Sequence, residues 1–295
     1  MTSFSTPSAI KADDASADAD RRFGGLRRLF GEAGYARIRA GRVAVVGVGG
    51  VGSWAAEALA RCGVARLVLI DLDHVSESNV NRQIQALTPQ LGQAKVLALK
   101  ERIAHIHPAC EVHAVEDFVD AANWPGLCPA DVDVVIDACD DPRAKGTLAR
   151  WALQHHRALV IAGAAGGKMH AHHVEVADLL HVTHDALLAQ LRQRLRKEGL
   201  LPPAPRKPQA TPAKGCGLRC VFSRDTSHKP VTSAEDACAV PAAVESNLHC
   251  HGYGSVVTVT ATFGMVAADE ALHLLRTRHP HPAPAAATGT QGKSG

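Results

Sequence analysis

An α/β fold built on a doubly wound, Rossmann-type and mostly parallel sheet with a smaller C-terminal extension is the class this sequence predicts, on three observations. Short β-branched runs end abruptly in Gly or Asp. Segments of helical periodicity alternate with them. A glycine-rich hexapeptide, Gly47-Val48-Gly49-Gly50-Val51-Gly52, joins the first such run to the first helix after it. Buried parallel strands read as unbroken apolar runs, amphipathic helices repeat every 3.6 residues, and alternation of the two marks an α/β architecture.

Residues 1–20 are rich in Ala, Ser and Asp, with no apolar stretch behind a basic start. They read as a disordered lead-in and not as a secretory signal. Residues 21–40 are amphipathic and arginine-rich, a helix or a pair of helices. Residues 42–47 form the first strand, 53–62 a helix closed by Gly63 as its C-terminal cap, and 66–71 the second strand. This is a complete βαβ unit, which predicts a right-handed crossover. A helix over 91–106, strands over 110–115 and 132–137, a helix over 144–156 and a strand over 158–162 continue the pattern. Residues 21–185 thus make a nucleotide-binding domain. Residues 186–276 follow as a segment packing on the same domain: a basic helix over 186–198, a proline-rich polar loop over 201–214 and a last helix over 255–276. Residues 277–295 have the composition of a disordered tail. The apolar run over 255–268 falls short of the ~20 residues a membrane span needs, and Asp269 and Glu270 follow it, so it reads as a buried helix.

The chain has 295 residues, 46% of them hydrophobic, enough for a sizeable core. The net charge of +3 argues neither for nor against nucleic acid, so any such site must be a local patch. Eight cysteines without a signal segment fit reduced thiols and a cytoplasmic protein. Cys62, Cys110, Cys128 and Cys139 lie in apolar or loop contexts and read as structural. Cys216 and Cys220 form one close pair with no second, short of the usual zinc module.

Gly47, Gly49, Gly50 and Gly52 sit between a strand and a helix, where bare backbone can approach a phosphate and the helix N-terminus favours negative charge. Asp71 ends the second strand, where a carboxylate usually binds ribose hydroxyls. The pair points to a nucleotide, and an NAD-dependent oxidoreductase would show the same two features. The polar loop from Asp71 and Asp73 through Asn79 to Arg82, the helix opening at Gly92-Gln93-Ala94-Lys95, and Asp140 all follow strand ends. Ligands of open α/β sheets bind at those ends. Attack of a carboxylate on an α-phosphate sets negative charge against negative charge, so cations must stabilise the transition state. Arg82 and Lys95 supply them and are read, with Asp140, as catalytic. Asp140 is also the magnesium ligand. Any one of these residues alone would be an ordinary surface charge; their conjunction favours phosphoryl chemistry over hydride transfer.

With Asp71-x-Asp73, Ser78-Asn79-x-x-Arg82-Gln83, Gly92-x-x-Lys95 and Asp137-x-x-Asp140 in place, residues 22–167 resemble the ubiquitin-activating-enzyme-like superfamily of adenylating enzymes. That resemblance implies ATP and magnesium in each subunit of a homodimer. It implies nucleotide contacts by Gly50, Asp71 and Asp73, phosphate contacts by Asn79, Arg82 and Lys95, and magnesium at Asp140. Within the superfamily the chain is similar to the tRNA threonylcarbamoyladenosine dehydratase branch. The stretch from Arg22 to Gly31, the run Gly163-Ala164-Ala165-Gly166-Gly167-Lys168, the basic helix, Cys220 to Ser223, and Val257 to Gly264 carry this likeness. It implies ATP-dependent activation of the threonylcarbamoyl carboxylate on a tRNA adenosine, then cyclisation with net loss of water. Sulfur-transfer or redox partner proteins accompany some members of the superfamily. The runner-up is an adenylyltransferase acting on the C-terminal Gly-Gly of a sulfur-carrier protein. The paired Cys-x-x-Cys zinc ligands of those carrier activators are missing here. The arginine that superfamily members donate to the partner subunit's site is replaced by Gly25, with Arg22, Arg27 or Arg28 as substitutes.

Three weaker signals complete the reading. Arg192, Arg194, Arg196 and Lys197 make one helix basic, either a solvated face or a tRNA phosphate track, and the family likeness favours the track. His170, His172 and His173 look like a metal cluster, with His170 and His172 on one face if the segment is a strand. No carboxylate stands at a defined spacing, so surface histidines are the expectation. Cys250, flanked by His249 and His251, invites a nucleophile reading that an internal cyclisation does not require.

Overall fold

The structure is a computed structural model and describes residues 12–204, 214–228 and 253–277. Its elements are α1 (Ala12–Arg39), β1 (Arg42–Val46), α2 (Gly52–Arg61), β2 (Arg66–Ile70), α3 (Lys95–Ile106), β3 (Glu111–Val115), β4 (Val134–Asp137), α4 (Pro142–Gln154), β5 (Ala158–Ala162), β6 (Val174–Asp178), α5 (Ala186–Lys197), β7 (Arg219–Ser223) and α6 (Val257–Thr277). One seven-stranded sheet runs in the order β3-β2-β1-β4-β5-β7-β6, parallel throughout except for the β6–β7 pair.

Alternation along each strand builds two cores. Val43, Val45, Leu67, Leu69, Ile136, Val160 and Val221 face α2, α3 and α6; Ala44, Val46, Val68, Ile70, Val135, Ile161 and Phe222 face α4 and α5. Burial of both sheet faces explains why the inner strands are apolar without a break. Charge is kept at the strand starts, where Arg42 and Arg66 share Asp131 and extend to Asp133 and Glu111.

Several boundaries differ from the sequence reading. Helix α1 begins at Ala12, inside the stretch read as lead-in, and bends at Gly31 (φ 70°), so residues 21–39 are the helix pair. Helix α3 starts at Lys95 and not at residue 91, because Gly92 takes a left-handed φ of 83° and turns the chain back onto Val75. Residues 171–173 form a 3-10 turn and not a strand, so alternation does not place the histidines. Strands β6 and β7 were not anticipated. β7 inserts beside β5, so the segment after residue 185 completes the main sheet. Among the described residues no helix is long and apolar enough to cross a membrane. Residues 1–11, Cys238, Cys250 and 278–295 lie outside the described residues.

Candidate active site

The phosphate loop is shaped by close backbone contacts. A methyl group on Gly52 would lie 1.8 Å from the Gly47 carbonyl oxygen, and one on Gly47 (φ 81°) would lie 2.9 Å from the backbone of Cys139. At Gly49 the nearest atom is 3.8 Å away, so the room there is left for something other than this chain. The Asp71 carboxylate holds the loop from the next strand: one oxygen accepts the Val48 N–H at 2.7 Å and the other the Asp73 N–H at 2.9 Å. Burial raises its pKa, against the pull of Lys95 and of those two N–H groups. From the far side the buried Gln85 donates to the Val48 carbonyl at 2.8 Å. Gln85 escaped the sequence reading; its one signal was its alternation with Gln83 in an otherwise apolar stretch.

The cations border this loop. Lys95 opens α3, is 6% exposed, and places Nζ 2.7 Å from Asp73 Oδ2. Arg82 lies over Gly50, with its Cγ 3.3 Å from where a methyl group would sit, and its guanidinium rests on the Ser78 carbonyl and Asn81 Oδ1. The Trp54 indole holds the Arg82 carbonyl at 2.9 Å, and Thr260 of α6 covers the same glycine at 3.4 Å. Neither Trp54 nor Thr260 was legible beforehand. Asn79 is buried and its side chain accepts the Ser76 N–H at 3.1 Å, so in this structure it shapes the turn that presents Arg82.

Asp140 is exposed three residues past Asp137, which ends β4. Its loop is anchored by Asp137 Oδ1, which takes the Cys139 N–H at 3.2 Å, the Cys139 thiol at 2.8 Å and the Lys145 ammonium at 3.1 Å. Contact between Cys139 and Gly47 sets this loop against the phosphate loop. Gly47, Gly49, Gly50, Gly52, Asp71, Asp73, Asn79, Arg82, Lys95 and Asp140 therefore lie in the loops at the carboxyl ends of β1, β2 and β4, linked by the contacts above. An exposed carboxylate, two cations and a bare glycine turn suit a magnesium-bound triphosphate.

Other expectations meet different surroundings. Arg192 spends its guanidinium on the carbonyls of Leu179 and Val182, both at 2.9 Å; Arg194 pairs with Glu198 at 3.2 Å; Arg196 donates to the Pro202 carbonyl at 3.1 Å. Three of the helix's four named cations are thus engaged within the chain, while Arg194 and Lys197 remain exposed. Arg22 is held by Asp18 and the Ile106 carbonyl, and Arg27 by Asp20 and Glu32. Cys62, Cys110, Cys128 and Cys216 have their thiol pKa values pushed up by burial. Cys216 donates to Asp178, and among the described residues no group of three His, Cys, Asp or Glu is placed to hold a metal.

The ThiF family model matches residues 24–292. The chain belongs to the ThiF family. Among ThiF-family relatives, it is 40% identical to the Escherichia coli tRNA threonylcarbamoyladenosine dehydratase over 256 residues, 85% of this chain and 92% of that protein. It is 33% identical to the Haemophilus influenzae tRNA threonylcarbamoyladenosine dehydratase, over 87% of this chain and 94% of that one. The solved structure of the E. coli enzyme in complex with ATP superposes with a TM-score of 0.74 at 35% identity, covering 91% of this chain and 97% of that chain. The likeness therefore reaches well beyond the phosphate loop, over most of both chains.

Proposed function

We propose that this ThiF-family chain uses ATP to adenylate the carboxylate of threonylcarbamoyladenosine in tRNA and promotes its cyclisation. The observation that carries the reading is the joining of a phosphate loop, braced by Asp71 and Gln85, to Arg82 and Lys95 in a chain that matches tRNA threonylcarbamoyladenosine dehydratases over more than nine-tenths of their length. In the first step a carboxylate oxygen bonds to the α-phosphorus and pyrophosphate leaves. In the second a nucleophile of the same side chain attacks the activated carbonyl, and AMP departs with that oxygen, which is the net loss of water. The glycine loop and the N-terminus of α2 hold the phosphates, and Asp71 takes the ribose. Arg82 and Lys95 neutralise charge as it develops, with preorganised donors in a partly buried site. Asp140 would hold magnesium, which when bound would offset the negative charge of the phosphates.

The reading includes a cytoplasmic homodimer in which each chain completes its partner's site. Five aliphatic side chains within residues 72–97, namely Leu72, Val80, Leu87, Leu91 and Leu97, stand 36–56% exposed beside the crevice, the kind of surface an interface covers. Of the three candidate arginines, Arg28 is the exposed one with no ion pair among the described residues, so it is assigned to the partner's site. Adenylation of a carrier protein's Gly-Gly end is the alternative, and the dehydratase likeness disfavours it. The test is nucleoside mass analysis of tRNA from cells with and without the protein, with ATP–pyrophosphate exchange by pure enzyme. Cyclised threonylcarbamoyladenosine that persists in its absence, or exchange driven only by a Gly-Gly carrier, would sink the proposal.

A further inference from the structure

We infer that tRNA is held along the sheet edge beyond the nucleotide crevice, over the carboxyl ends of β5 and β7 and the turn leading into β6, by His170, His172, His173, Arg224, His228 and Tyr253. This deepens the tRNA reading above and rests on it.

The topology puts these residues on the side where ATP is read to bind. β5 and β7 run parallel to β1, so their carboxyl ends share its edge, and β6, antiparallel, starts there. From β1 across β4 and β5 to β7 is three strand spacings, about 14 Å. The segments are joined by short contacts. The Asp225 carboxylate accepts the N–H groups of Met169 at 2.7 Å and His170 at 3.0 Å, which hold it down to about 2. The Arg224 N–H donates to the His173 carbonyl at 3.0 Å, that of His228 to the Gly167 carbonyl at 2.8 Å, and that of Gly167 to the Gly254 carbonyl at 2.8 Å. A methyl group on Gly167 would lie 3.0 Å from the Tyr253 ring, so the ring lies against bare backbone. Buried Lys168 ties the loop from below through the carbonyls of Asp225 and His184.

What this frame presents outward is rings, His173 only in part since its Nδ1 is buried, and one cation. The rings of His170, His172 and His173 lie 4.2–5.5 Å apart between centroids. His228 sits 3.7 Å from Asp225, and Arg224, 62% exposed, pairs with Glu175 at 2.9 Å. Tyr253 is 37% and Met169 59% exposed. Among the described residues the acids do not dominate: Asp225 is 6% exposed and taken up by backbone N–H groups, leaving Glu175 as the acidic group at the rim. Splayed bases of a single-stranded RNA loop stack on such flat side chains, with a guanidinium on the phosphates. The basic helix α5, with Arg194 and Lys197 exposed, lacks the rings on which bases stack and is the competing surface. A metal site is not favoured either, as no group of three ligands is in place among the described residues.

The test compares the full-length wild type with His172→Ala/Arg224→Ala/His228→Ala/Tyr253→Ala and with a helix control, Arg194→Glu/Lys197→Glu. The probe is threonylcarbamoyladenosine-containing tRNA in filter binding, with ATP affinity and thermal melting recorded for each. The first variant should bind tRNA at least roughly tenfold more weakly with unchanged ATP affinity, and the helix control should bind normally. A second measurement needs no variant: carbethoxylation of His170, His172 and His228 in the wild type, mapped by mass spectrometry, should fall when tRNA is added and not when ATP is. Normal binding by the first variant with loss in the helix control, or histidines left equally reactive by tRNA, overturns the surface and leaves the dehydratase reading standing. Wild type that binds no tRNA at all overturns both.

Discussion

Lys145 and Asp137 meet at 3.1 Å with both side chains wholly buried, and the Asp137 oxygen that takes the ammonium also takes the Cys139 N–H one residue before Asp140. A charge pair inside the core thus tethers the loop read as holding magnesium. The other Asp137 oxygen has no hydrogen-bond partner. Lys145→Met leaves this carboxylate buried and uncompensated, which costs on the order of 3–5 kcal/mol. Urea titration should show that loss, and Asp137→Asn in the same chain should recover most of it. An unchanged midpoint in the single variant would refute the pair's role.

Glycines of the phosphate loop separate into two kinds. Gly52→Ala sets a methyl group against the Gly47 carbonyl, so it should lower thermal stability and ATP affinity together. Gly49→Ala has space within the protein, so melting should hold while ATP affinity drops at least roughly tenfold, since close backbone approach to phosphate is what the loop provides. Calorimetric ATP titration of both variants decides; equal ATP affinity in Gly49→Ala and wild type would remove this glycine from the site.

Lys95→Ala and Asp140→Ala should each cut ATP–pyrophosphate exchange by about a hundredfold or more. Folding should survive, because Asp73, the Lys95 partner, is 72% exposed and is solvated by water once the ammonium is gone. Near-normal exchange with magnesium present, in either variant, would displace that residue from the chemistry.

Arg28→Ala, assigned to the partner's site, should be inactive alone and Lys95→Ala likewise. Mixed dimers of the two should regain activity, because one of their two sites then combines a native Lys95 with a native Arg28. Failure of every mixing ratio to restore turnover, with dimers demonstrated by light scattering, argues that Arg28 acts on its own chain or not at all.

His107 provides a pH-dependent element. Burial, then the Arg39 guanidinium 2.9 Å away, lowers its pKa from 6.5 to about 4. The unfolded chain therefore binds the extra proton first as pH falls. Stability from the neutral ring is present above pH 6.5, declines between 6.5 and about 4, and is level below, for a loss of up to about 3 kcal/mol. His107→Gln should show a flatter decline across that window in urea unfolding. Parallel curves for the variant and wild type would contradict the assignment.

The sequence by itself determined the βαβ core and which strand ends carry the candidate residues. β-branched runs of five residues, a glycine turn and the polar stretch between Asp71 and Lys95 are local patterns, and local patterns predict where strands end and hence where ligands bind. What only the tertiary structure decided depends on partners far along the chain. Gly92 delays α3 by folding back onto Val75, and β7 reaches the sheet only by pairing with β5 and β6. Arg192 reads as a phosphate contact until the carbonyls of Leu179 and Val182 claim it. Gln85 and Thr260 join the site because the chain brings them back against the phosphate loop, and Trp54, in the helix after that loop, because it meets the Arg82 carbonyl. Beyond the alternation of Gln85 with Gln83 nothing local marks them, and a hydrogen bond spanning 37 residues, such as that from Gln85 to Val48, exists only once the chain has closed on itself.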